Sequence, residues 1–145
     1  MRIFVDTNVI VYSRDRRSAE KRDKARDWLR YLAERQWAVV NLQGVNEVAD
    51  VLLRRSGMAE DEIRQECDAL LALGDATVGT EEIALAWRIR ERFGFRWWDC
   101  LIIAAALILE CSHLVSEDLQ HGQAIGKLKV IDPFRTTPDA LLQAS

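Results

Sequence analysis

The chain has 145 residues, enough for one domain with a sizeable core and short for two, and its 49% hydrophobic and 30% charged residues, seven Gly and two Pro match an ordinary globular protein. That composition excludes extensive disorder, collagen-like repeats and long coiled coils. Twenty basic residues against 23 acidic leave a net charge of -3, so a general nucleic-acid binder is not indicated and any such role must rest on local clustering.

Arg2 to Val5 predicts a short buried strand, apolar at three successive positions and closed by Asp6-Thr7-Asn8, residues that favour turns and helix N-caps. The acid at residue 6 breaks the apolar stretch well before the length a secretory signal needs, so a cytoplasmic location is expected. From Ala19 to Arg35, Ala25, Trp28, Leu29 and Leu32 follow the i, i+3, i+4, i+7 pattern of an amphipathic helix. Trp37 to Asn41 predicts a second strand, and Gln43 to Arg55 a helix with Val45, Val48, Ala49 and Leu52 on one face, ended by Ser56-Gly57. Helices follow over Ala59 to Leu73 and Glu81 to Phe93, with a weak strand at Asp75 to Val78 between them.

The segment from Trp98 to Leu109 is apolar on every side after Asp99, the mark of a helix buried in the middle of a fold. Its uncharged part, Cys100 to Leu109, falls short of the roughly 18 to 20 residues of a membrane span, so no membrane association is expected. Ser112 to Val115 and Leu128 to Ile131 predict the last two strands, with one helical turn near Gly122 to Ile125 between them and Asp132-Pro133-Phe134 closing the second. Short apolar strands alternating with longer helices predict a single α/β domain over residues 1–145, with a central parallel sheet of four to five short strands flanked by helices. In such sheets ligands bind beyond the carboxyl ends of the strands, where the strand order reverses.

Acids stand at those places. Asp6 follows the first strand, Glu117 and Asp118 follow the His113 to Ser116 segment, and Asp99 opens the most apolar helix. Taken singly, Asp6 and Asp99 are ordinary helix N-caps and Asp118 a turn residue. If the first strand is central, Asp6 and Asp118 face each other across one crevice, where like charges repel and raise a pKa unless a cation neutralises them. Cys67, Cys100 and Cys111 show no CxxC pairing and His113 and His121 are the only imidazoles, which favours oxygen-ligated Mg2+ or Mn2+ over Zn2+. The natural substrate of a carboxylate-held divalent metal is a phosphate ester. No GxxxxGK[ST], GxGxxG or GxSxG occurs, and residue 8 is Asn where an aspartyl-phosphate phosphatase needs a second Asp.

These segments resemble, in order, the acidic motifs of PIN-domain ribonucleases: Val5-Asp6-Thr7-Asn8-Val9, Asn46-Glu47-Val48, Trp98-Asp99-Cys100-Leu101-Ile102-Ile103-Ala104-Ala105-Ala106 and Ser116-Glu117-Asp118-Leu119-Gln120-His121-Gly122. The last of these and the closing Asp132-Pro133-Phe134 are most similar to VapC toxins of bacterial VapBC toxin-antitoxin pairs. The resemblance implies a PIN-like fold in which Asp6, Glu47, Asp99 and Asp118 hold one or two Mg2+ ions, with Mn2+ able to substitute, and Thr7, Asn8 and Ser116 support them. It further implies hydrolysis of structured RNA of the transfer or ribosomal class by metal-activated water, a VapB-like antitoxin partner and a homodimer. A PIN nuclease of RNA maturation and a binding-only PIN-like module are the alternatives. The helical periodicity by itself points Glu47 about 150° from the apolar stripe of its helix, toward solvent; only the resemblance promotes it.

Three secondary signals remain. Seven basic residues, Arg14, Arg16, Arg17, Lys21, Arg22, Lys24 and Arg26, form either an RNA phosphate track or, with the interspersed Asp15, Glu20 and Asp23, a solvated surface. Trp97-Trp98 beside Asp99 suits stacking of an unpaired base, with at least one indole expected in the core. Trp28 and Leu32 present either an antitoxin groove or core packing, and core is the expectation.

Overall fold

In the computed structural model, which describes residues 1–143, the chain runs β1 (Ile3–Val5), α1 (Thr7–Tyr12), α2 (Ala19–Glu34), β2 (Ala38–Asn41), α3 (Leu42–Arg55), α4 (Glu60–Leu71) and β3 (Asp75–Ala76). It continues through α5 (Thr80–Phe93), α6 (Trp97–Ile108), β4 (His113–Val115), β5 (Ala124–Ile125), β6 (Leu128–Ile131) and α7 (Ala140–Gln143). The strands form one sheet in the order β3-β2-β1-β4-β6-β5. The first five of these are parallel and β5 pairs antiparallel with β6.

β1 lies at the centre and all three of its residues are buried, which is why it reads as an unbroken apolar run. Its side chains alternate between two cores. Ile3 and Val5 join Val9, Ile10, Trp28, Leu32, Val45 and Val48 on the α1–α4 side, while Phe4 joins Ala86, Ile89, Ile103 and Leu114 under α5 and α6. Trp28, 1% exposed, and Leu32, fully buried, therefore belong to the core rather than to a groove.

Two departures from the expected elements have local causes. The segment near Gly122 to Ile125 is not a helical turn: Ala124–Ile125 is a strand, turned back on β6 through Gly126, whose φ of +58° suits a residue without Cβ. A six-residue helix, α1, follows β1, and with Val9 and Ile10 as its buried apolar residues it is too short to display a period.

The turn from α5 into α6 positions the site. Gly94 adopts φ +71° and donates to Arg90 O at 2.9 Å, ending α5 in a left-handed cap, and α6 starts three residues later. Strand order reverses at β1, which leads on one side to β2 and on the other to β4. The carboxyl ends of β1 and β4 thus border the crevice at the switch point, tied by Asp6 N–H donating to Val115 O at 2.9 Å.

Candidate metal centre

Asp6 occupies the backbone N-cap position of α1, yet its side chain makes no capping hydrogen bond. It accepts instead from the Ser116 hydroxyl at 2.7 Å, just beyond β4. The same Ser116 Oγ accepts from the Asp118 backbone N–H at 3.1 Å, so one buried hydroxyl ties the first acid to the turn that carries the third. Asp99 sits in the first turn of α6, buried, where the helix N-terminus favours its charge. The N-cap of that helix is Arg96, so Asp99 is not a cap residue.

One carboxylate oxygen from each of Asp6, Asp99 and Asp118 lies within 4.8 Å of the others. Burial pushes the Asp6 carboxyl from 3.8 up to about 6; Asp118 and Asp99 add repulsion, and the Ser116 hydroxyl opposes the rise. Burial, then the Asp99 charge, also raises Asp118, against the pull of Arg96. Three acids held this close repel one another, and an all-oxygen donor set suits a hard divalent cation such as Mg2+ or Mn2+. His121 stands outside this group, and its Nδ1 accepts from Asp132 N–H at 3.1 Å.

The other expected site residues take distinct places. Asn8 Nδ2 donates to Asp118 Oδ2. Thr7 is buried and lines the same cleft, packed so closely on α3 that a Cβ at Gly44 would stand 2.9 Å from its Oγ1. Glu47 is exposed, as its helical phase predicts; it lines the cleft from α3 but stands outside the three-carboxylate group. Glu117 turns away to pair with Lys21 of α2.

Sequence reasoning passed over Arg96. Its Nε lies 3.1 Å from Asp99 Oδ2 and its guanidinium 3.5 Å from Asp118 Oδ2, with the side chain 73% exposed. The signal was available as a basic residue three before Asp99 at a helix start. Trp98, 67% exposed, lines the cleft with Leu101, Ile102, Leu42 and Val78, in a space of about 570 Å3.

The basic segment is largely neutralised. Arg14 pairs with Glu66, Arg17 with Asp15, Arg22 with Asp23, Lys24 with Glu20 and Lys21 with Glu117, while Arg26 donates to Ser13 O. A solvated, paired surface describes it better than a phosphate track.

The family model described as PIN domain matches residues 3–126. No curated protein sequence matches the chain. Among solved structures, a toxin-antitoxin complex from Klebsiella pneumoniae contains a chain superposing with a TM-score of 0.67 at 18% identity, over 92% of this chain and 98% of that one. VapC20 of Mycobacterium tuberculosis, described as a sarcin-ricin loop cleaving toxin, superposes with a TM-score of 0.51 at 16% identity, over 77% and 86% of the two chains. At these identities the likeness is one of fold.

Proposed function

The chain belongs to the PIN domain family, and on that premise we propose that it is a metal-dependent endoribonuclease acting as the toxin of a toxin-antitoxin pair. The observation that carries the proposal is the meeting of Asp6, Asp99 and Asp118 oxygens within 4.8 Å at the switch point of the sheet. The domain is taken as one unit over residues 1–145. Asp6, Asp99 and Asp118 would hold Mg2+ or Mn2+, with Glu47 approaching from the facing wall. A divalent cation there, when bound, neutralises a phosphodiester and lowers the pKa of water for in-line attack.

The protein's own groups prepare that chemistry. The Ser116 hydroxyl and the Asn8 amide fix the rotamers of Asp6 and Asp118, so little reorganisation is left for the moment of binding. Thr7 braces the start of α1 against α3. Leu42, Val78, Leu101 and Ile102 give the cleft an apolar wall beside the acids. Arg96, on the exposed rim, supplies a guanidinium at the place where a phosphate enters.

Fold likeness to a chain of a toxin-antitoxin complex supports an antitoxin of VapB type as partner; a homodimer and a cytoplasmic location are part of the proposal and rest on the sequence reading alone. Structured RNA of the transfer or ribosomal class is the proposed substrate, in keeping with the description of VapC20 as a sarcin-ricin loop cleaving toxin.

The test is cleavage of total RNA by antitoxin-free protein with Mn2+, with Mg2+, with EDTA, and by the Asp99→Asn variant. Discrete fragments ending in 5'-phosphates, lost with EDTA and with the variant, are expected. A folded protein whose melting temperature rises with Mn2+ but which cuts no RNA overturns the nuclease proposal and leaves a metal-binding module.

A further inference from the structure

Trp97 and Trp98 are successive residues of α6 with different surroundings. Trp97 packs on Trp87 of α5 with ring centroids 4.4 Å apart, whereas Trp98 is 67% exposed and lines the carboxylate cleft. Leu101 and Ile102, three and four residues on, lie on the same helix face and line the cleft as well. Across from them α3 contributes the exposed amides of Gln43 and Asn46, and Arg96 stands at the rim beside Asp99 and Asp118.

A large indole left two-thirds exposed next to buried acids has no packing reason to be there. A bare phosphate needs a cation and gains nothing from an apolar wall. A nucleotide gains from a cation for its phosphate, a flat apolar face for its base and hydrogen-bonding amides for its edge. Arg96, Trp98 with Leu101 and Ile102, and Gln43 with Asn46 supply these in one cleft. An apolar peptide side chain would use the wall but leave the guanidinium and the amides without a purpose.

We infer that Trp98 is the stacking platform for an unpaired RNA base next to the scissile phosphate, with Arg96 on the adjoining phosphate. This rests on the ribonuclease proposal and adds to it the side chain that takes the base, which must be unpaired because the faces of a paired base are already covered by its neighbours.

The probe is a fluorescein-labelled oligoadenylate of about 12 nucleotides, a length within the usual span of single-strand sites, alone and annealed to oligouridylate. Binding is followed by anisotropy in Ca2+, with gels confirming that the strand stays intact. Trp98→Ala should weaken single-strand binding about tenfold or more, Trp98→Phe should restore most of it, and Leu53→Ala, at an exposed apolar side chain of α3 outside the cleft, should change nothing. Duplex binding should be weaker and indifferent to residue 98. The Mn2+-induced rise in melting temperature should persist in Trp98→Ala.

Unchanged single-strand affinity and cleavage in Trp98→Ala overturn the stacking site and leave the ribonuclease proposal standing. Failure of the wild type to bind or cut any RNA, with the Mn2+ shift intact, overturns both. A Trp98→Ala protein that keeps its RNA affinity but no longer retains a co-expressed antitoxin assigns the indole to the protein partner, and the inference falls.

Discussion

Asp6 is 4% exposed, and its carboxyl is held up to about 6 from 3.8, first by burial and then by Asp118 and Asp99. Because the folded pKa lies above the unfolded one, the metal-free fold holds a proton that the unfolded chain has released. Stability present at acid pH is therefore lost as pH rises from 3.8 through about 6, and it stays lost at neutral pH. The penalty from this group is on the order of 3 kcal/mol. Asp6→Asn removes the charge while keeping an acceptor for Ser116, so thermal melts of metal-free protein at neutral pH should place the variant several degrees above the wild type. The difference should vanish at acid pH, and Mn2+ should no longer shift the variant. A variant melting below the wild type at neutral pH would show that the buried charge is already compensated. Arg96 gives a second test with opposite signs on two ligands. Its guanidinium competes with a metal for Asp99 and Asp118, and being 73% exposed it does so weakly. Titration calorimetry of Arg96→Ala should find Mn2+ bound a few-fold more tightly, and RNA bound less tightly; weaker binding of both would make Arg96 a structural strut.

Among the elements, the contact of α1 with α3 holds the first acid in place. Gly44 is where they approach, and a Cβ there would lie 2.9 Å from Thr7 Oγ1 and 3.6 Å from Ile10 Cδ1, both buried. Gly44→Ala gains helix propensity in α3 but pushes α1 outward, and overpacking of this kind costs about 1 to 3 kcal/mol. The expected net result is a lower melting temperature and a smaller Mn2+ shift, since Asp6 moves with α1; a raised melting temperature would mean that α1 yields without strain. α1 also marks what the sequence left hidden. The α2, α3, α5 and α6 patterns span enough turns for a period to emerge, and these helices lie within two residues of their expected ends. α1 and β5, six and two residues long, are specified by docking onto neighbours rather than by their own pattern. The aspartates were legible because strand ends and helix starts are visible in one dimension. The pairing of Ser116 with Asp6 spans 110 residues and has no local signature, although Ser116 itself was marked through the family motif. Arg96 was legible as a charge but not as a partner of Asp118, for the same reason.

Across the whole molecule, the sheet separates two cores that share its strands, one under α1–α4 and the other under α5 and α6. A parallel sheet follows from the alternation of elements, but the strand order, and so the switch point, depends on which strands pair at long range. The three carboxylates bridge both sides: Asp6 at the junction of β1 with α1, Asp118 beyond β4, and Asp99 on α6 in the opposite layer. Trp28 is buried in the first layer and Trp97 packs on Trp87 at the second, so the two sides carry separate fluorescence probes. If the chain is one domain, urea unfolding followed by tryptophan emission and by far-ultraviolet circular dichroism should superimpose, and the double variant Trp28→Phe with Trp37→Phe, which removes both indoles packed on the first core, should unfold with one midpoint by both methods. Mn2+ at roughly 100 times its Kd should add about 2.7 kcal/mol and shift both probes together, because its ligands come from both layers. Asp99→Asn should remove that shift from both layers equally, although residue 99 belongs to α6 alone. Two separated midpoints, or a metal shift confined to the α5 and α6 layer, would divide the chain into two units and place the metal within one of them.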